Sequence, residues 1–200
     1  MTDSKDLVDL SVKGGTVADE GLFDAKQAEV GLTGRPLREF PQPEPLEKHG
    51  PATIISMVNQ KGGVGKTTSS INLGACLAEQ GRKVLLVDLD PQGALSAGLG
   101  VTHDEDQVTV YDLMLDNTSS IHSAIKRTNV SRLDLVPANI DLSAAEIQLV
   151  NEVGREQTLG RALRPVRGEY DFIIIDCQPS LGLLTVNALA CSQGVIIPME

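Results

Sequence analysis

The chain has 200 residues, 41% hydrophobic and 22% charged, enough for one sizeable α/β domain plus a tail. Its formal net charge of −10 argues against a uniformly basic body that holds nucleic acid by charge alone. No apolar run approaches a signal peptide or a membrane span, and three cysteines without a C-x-x-C spacing describe neither a disulfide framework nor a thiolate metal site, so a cytoplasmic protein with reduced, mostly buried thiols is expected.

In chain order, residues 1–50 hold ten acids, six bases and six glycines, with prolines crowding from Pro36 to Pro51. Such a segment buries little apolar surface and is expected to be a disordered acidic, proline-rich tail ahead of a domain at 51–200. Thr53–Val58 is apolar and β-branched, a strand near 54–59. It leads into the run Lys61-Gly62-Gly63-Val64-Gly65-Lys66-Thr67-Thr68. A helical pattern follows through Ile71, Ala75 and Ala78 and stops at Gly81 as a C-cap. Further strands are expected near 84–88, 133–136, 172–176 and 194–198, with helices between them. Ser143 and Glu146 have the spacing of a capping box at the start of one such helix. This alternation predicts right-handed crossovers and a mostly parallel sheet with helices on both faces. His49, His103 and His122 are scattered and read as solvated surface residues.

Strand, glycine loop and helix in that order make a P-loop, the framework of a P-loop NTPase. Glycines allow successive N–H groups to face phosphate oxygens, and the helix N-terminus adds partial positive charge. Lys66 is expected to reach the β- and γ-phosphates of ATP, and the Thr67 hydroxyl to bind Mg²⁺. Val84–Leu89 places Asp88 and Asp90 at the carboxyl end of a buried strand, where ligands of open α/β sheets sit. Taken alone, Asp88-Leu89-Asp90-Pro91 would only end a strand and begin a turn; the upstream P-loop changes that reading. Phe172–Ile175 is a run of four apolar residues ending in Asp176, the Walker B pattern of a residue that holds Mg²⁺ through water. Arg155, Arg161, Arg164 and Arg167, mixed with Glu152, Glu156 and Glu169, read first as a solvated face and second as a strip for DNA.

The loop departs from G-x-x-x-x-G-K-[ST], because Gln60 stands at the first glycine position and Lys61 follows it. In this it resembles the deviant Walker A loop of the ParA/MinD family of ATPases, and Asp88-Leu89-Asp90-Pro91-Gln92-Gly93 resembles the ParA/Soj chromosome-partitioning branch. The resemblance spans Ala52 to Glu200. It departs where Gly-Asn-Ala is usual but Gly93-Ala94-Leu95 stands, and where Asp-x-Pro-Pro is usual but Asp176-Cys177-Gln178-Pro179 stands. The resemblance implies a Mg²⁺-dependent ATP hydrolase that switches by nucleotide-driven dimerisation. Lys61, Lys66 and Asp90 would be catalytic, with Lys61 reaching the partner's nucleotide and Asp90 the attacking water. Residues Lys61 to Thr68 would cradle ATP, and Thr67, Asp88 and Asp176 would surround Mg²⁺. It also implies an ATP-dependent homodimer, nonspecific DNA, a ParB-like stimulating protein and association with the nucleoid. The alternative is a MinD-like regulator acting on a membrane. Because relatives of this kind usually continue past the Gly194–Glu200 strand, the chain is expected to be a fragment or truncated product, with DNA contacts beyond residue 200.

Overall fold

Apolar, β-branched runs become strands here because the sheet is covered on both faces, which favours near-continuous hydrophobic sequence over alternation. The computed structural model describes residues 43–44, 46–101, 107–116 and 118–199. The strands are β1 (Thr53–Met57), β2 (Val84–Leu89), β3 (Lys126–Arg127), β4 (Leu133–Val136), β5 (Phe172–Cys177) and β6 (Gly194–Ile196). They form one sheet in the order β3-β4-β2-β5-β1-β6, parallel throughout except for the β3–β4 pair. Helices are α1 (Lys66–Glu79), α2 (Ala94–Gly98), α3 (Val110–Leu115), α4 (Ile121–Ala124), α5 (Leu142–Gln148), α6 (Thr158–Leu163) and α7 (Leu183–Cys191).

All six residues of β2 are buried, and their side chains divide between two cores with the period of two that a strand imposes. Leu85, Val87 and Leu89 join Ile173, Ile175, Leu159 and Leu184 on the face covered by α6 and α7. Val84 and Leu86 join Ile174, Leu133 and Ala78 on the face covered by α1. Gly74 lets α1 lie close, since a Cβ there would stand 3.0 Å from Leu86 Cδ2 and 3.1 Å from Leu133 Cδ1. The helix ends as expected: Gly81 has φ +79°, its N–H donates to Ala78 O and the Arg82 N–H donates to Leu77 O, a Schellman closure.

Several expectations need correction. The strand expected at 194–198 covers only 194–196 and sits at the sheet edge, with Val195 and Ile196 exposed. β3 carries Lys126 and Arg127 and has no apolar pattern that would have announced it. Ser143 and Glu146 do not form a capping box. α5 starts from Asp141, and Glu146 Oε1 instead accepts from Gln178 Nε2 and the Leu184 N–H, each at 3.2 Å. Gln178, the residue in the usual proline position, therefore ties the loop after β5 to α5. His49 is not simply solvated: its Nδ1 lies 2.7 Å from Asp171 Oδ2, and the Gly50 N–H donates to Asp171 Oδ1. Cys76 is exposed, whereas Cys177 is buried and Cys191 half-buried. The tail reading of 1–50 falls mainly on residues outside those described, as does that of His103.

Candidate functional site

Parallel pairing brings the carboxyl ends of β1, β2 and β5 to one edge, and the register places Asp176 beside Met57 on one side and Asp88 on the other. The glycine loop leaves this edge from β1. Gly63 and Gly65 have φ of +77° and +85°, a left-handed conformation that side chains strain to adopt, and Gly65 is the N-cap of α1. A Cβ at Gly62, Gly63 or Gly65 would meet nothing within 4 Å, so the loop bounds open space at the start of a fourteen-residue helix. The Lys61 N–H donates to Asn59 Oδ1 at 2.9 Å, and Asn59 Nδ2 donates to Pro198 O at 2.8 Å, which fixes the loop's first limb. Lys66 is buried, and its Nζ donates to Lys61 O at 3.2 Å beneath the loop. Lys61 and Thr68 are exposed and Val64 half-buried.

Behind the loop, Thr67 Oγ1 donates to Asp176 Oδ2 at 2.7 Å and Ser70 Oγ donates to Asp176 Oδ1 at 2.9 Å. Both hydroxyls come from the first turns of α1, three residues apart and so on one face. Burial raises the Asp176 carboxyl above its ordinary value, and the two hydroxyls oppose that rise. Ser70 was not picked out in the sequence, although its spacing from Thr67 was a readable signal.

Asp88 has no exposed surface. Its Oδ2 accepts from the Ser96 N–H at 2.9 Å and from Ser96 Oγ at 2.7 Å, and its Oδ1 accepts from the Asp90 N–H at 3.2 Å. Burial pushes Asp88 up to about 6, with the Ser96 bonds opposing it. Asp90 is half-exposed, and its Oδ1 accepts from the Gln92 N–H at 2.9 Å. Asp88 thus braces the turn that carries Asp90, and Ser96, the residue doing so from α2, was missed by sequence reading. Among the described residues no three His, Cys, Asp or Glu converge as a metal cluster. The oxygen groups present, the Thr67 hydroxyl with the Asp176 carboxylate behind it, fit a hard cation that takes its other ligands from phosphate and water. Cys177, next to Asp176, is buried and its thiol is raised by that burial, which keeps it in the unreactive form.

Comparison with known proteins agrees with this geometry. The family model described as an AAA domain matches residues 52–200. The sporulation initiation inhibitor protein Soj of Bacillus subtilis is 55% identical over 147 residues, which cover 74% of this chain and 58% of that protein. The chromosome partitioning protein ParA of Myxococcus xanthus is 52% identical over 147 residues, 74% of this chain and 52% of that protein. A crystal structure of cobyrinic acid a,c-diamide synthase from Mycobacterium smegmatis with bound ADP and magnesium aligns with a TM-score of 0.71 and 47% identity, covering 74% of this chain and 60% of that one. The chain spans about half the length of the curated relatives it matches. From the loop, the carboxylates behind it and these similarities, the chain belongs to the ParA/Soj family of P-loop proteins.

Proposed function

We propose that the chain is the nucleotide-binding part of a Mg²⁺-dependent ATPase in which ATP draws two copies together and hydrolysis releases them. The observation that carries this reading is the glycine cradle with Thr67 and Asp176 in contact directly behind it. Residues Gly62 to Gly65 and the first N–H groups of α1 would surround the phosphates, with the Lys66 ammonium beneath them. Thr67 directly, and Asp176 through water, would hold Mg²⁺, which would supply charge neutralisation at the phosphates. Asp90 orients the attacking water, and Asp88 holds Asp90 in place. Lys61, on the exposed rim of the loop, reaches the nucleotide of a second copy. Phosphoryl transfer to water needs chiefly this kind of positioning and charge placement.

The partners of this reading are a second copy of the chain, DNA bound without sequence preference and a ParB-like protein that accelerates hydrolysis, on the nucleoid in the cytoplasm. Among the described residues no helix is long and apolar enough to cross a membrane. The experiment is Mg·ATP turnover with and without unrelated duplex DNA, using Asp90→Ala as control. DNA-stimulated turnover that is lost in Asp90→Ala is the expected result. Turnover that responds to anionic liposomes and ignores DNA would replace this reading with a MinD-like membrane regulator.

A further inference from the structure

Three arginines that the nucleotide chemistry leaves unused meet around one cavity at the other end of the sheet. Arg161 is on α6, Arg164 opens the 3-10 turn after it, and Arg167 follows that turn. Together with Glu156, Gln157 and Gln193 they line a cavity of about 380 Å³. It adjoins the amino end of β1: the Ala52 N–H donates to Arg167 O at 2.7 Å, and the Ile54 N–H donates to Gln193 Oε1 at 2.8 Å. The glycine loop leaves the far end of this five-residue strand. At about 3.3 Å per residue, the two ends are roughly 15 Å apart, so a nucleotide in the P-loop cannot supply the anion for these arginines.

The charge on the lining is unbalanced. Glu156 is its one carboxylate, against three guanidinium groups. Among the described residues none of the three arginines forms an ion pair. Arg167 Nε is buried and has no hydrogen-bond partner, so this donor has lost its hydration with nothing in its place. Arg161 and Arg164 are exposed at the mouth, which makes the site open to an extended ligand instead of enclosing a small one. The guanidinium fork matches phosphate oxygens two at a time, and such contacts position nucleic acid without reading its sequence.

We infer that this cavity docks the phosphodiester backbone of nucleic acid, so that part of the DNA contact lies within residues 161–167. The inference rests on the proposed partitioning reading for its choice of partner and adds the surface that meets it. It leaves the P-loop edge clear for a second copy.

The test is binding of unrelated duplex DNA to the full 200-residue chain between 50 and 200 mM salt, comparing the unmodified protein with Arg161→Gln/Arg164→Gln. Both positions are exposed, and circular dichroism checks that the double variant folds. Two lost phosphate contacts at roughly 0.9 each should lower the slope of log K against log salt by about 1.8. Arg161→Lys/Arg164→Lys, which keeps the charge, should retain most of the slope. Affinity for a fluorescent ATP analogue should be equal in all three proteins. An unchanged slope, or no DNA binding by the unmodified chain at 50 mM salt, would overturn the inference. So would a difference between the unmodified chain and the Gln variant in binding pyrophosphate alone, with DNA binding the same for both. Absence of Mg·ATP binding and turnover in the unmodified chain sinks the ATPase reading instead and leaves the slope comparison intact.

Discussion

Replacing Ser96 with Ala removes the 2.7 Å bond from its hydroxyl to the fully buried Asp88 while leaving its backbone N–H in place. A hydrogen bond to a buried charged group contributes about 1.5–3 kcal/mol. Taking about 2 kcal/mol, and about 2–4 °C per kcal/mol for a domain near this size, the variant should melt about 4–8 °C lower at pH 7.5 without Mg²⁺. The pH dependence identifies the cause. Asp88 rises from 3.8 to about 6 on folding, chiefly through burial, so its contribution to stability is fully present below about pH 4 and is lost as pH rises through 6. Ser96 restrains that loss because its bonds lower the folded-state value. Without the hydroxyl the folded value moves further up, and the added loss appears only where the carboxylate is ionised. Differential scanning calorimetry at pH 7.5 and pH 4.5 should therefore show the melting difference shrinking to less than half at the lower pH. An equal difference at both, or none at pH 7.5, would refute the bracing role given to Ser96.

Three more outcomes are expected. Asp90→Ala should lower Mg·ATP turnover by roughly 10²-fold or more while nucleotide affinity changes less than about twofold, the split expected of a water-orienting group; parallel loss of affinity would move Asp90 into the binding set. Gly62→Val should fold normally, since a Cβ there meets nothing within 4 Å, yet fail to dimerise with ATP in multi-angle light scattering; a dimer of that variant with ATP would place the subunit contact elsewhere. Gly74→Val should lower stability by about 1–3 kcal/mol, because its added bulk enters the 3.0 Å and 3.1 Å gaps to Leu86 and Leu133; an unchanged urea midpoint would mean that α1 can shift away without cost.

The parts of the site that were legible in the sequence are those that geometry forces to be contiguous. A phosphate loop must join a strand end to a helix start, so Gly62 to Thr68 announce themselves, and carboxylates at strand ends follow apolar runs, so Asp88 and Asp176 do too. Their partners were hidden because they arise from packing. Ser96 reaches Asp88 only after the Asp90–Gly93 turn folds α2 back over β2, and a serine eight residues downstream carries no pattern of its own. Glu146 had the spacing of a capping residue, but the donors it accepts from come from residues 178 and 184, thirty-two and thirty-eight positions away. His49 sits at the end of an acidic, proline-rich stretch that reads as solvent-facing, and only the approach of β5 brings Asp171 to it. β6 is apolar enough for a central strand, yet its place at the edge is a matter of strand order, which hydrophobicity does not encode.

The two buried carboxylates share a logic that the half-exposed groups near them depend on. A threonine hydroxyl has one hydrogen and two lone pairs. Because the Thr67 hydrogen is committed to Asp176, the lone pairs face away from that carboxylate and would be free to hold a cation. Ser70 holds the other oxygen of Asp176, so the carboxylate cannot turn and release Thr67. Asp88 acts in the same way on Asp90, accepting its N–H while Ser96 occupies the opposite oxygen. An amide at either position would carry one acceptor oxygen where the carboxylate has two, and one of the two donors would have to turn away. On the proposed reading the negative charge of Asp176 and Asp88 therefore serves orientation first, and the groups that meet ligand are those they hold, Thr67 and Asp90. The raised values of both carboxyls are the consequence of burying charge for this purpose, offset in each case by two or three donated hydrogen bonds.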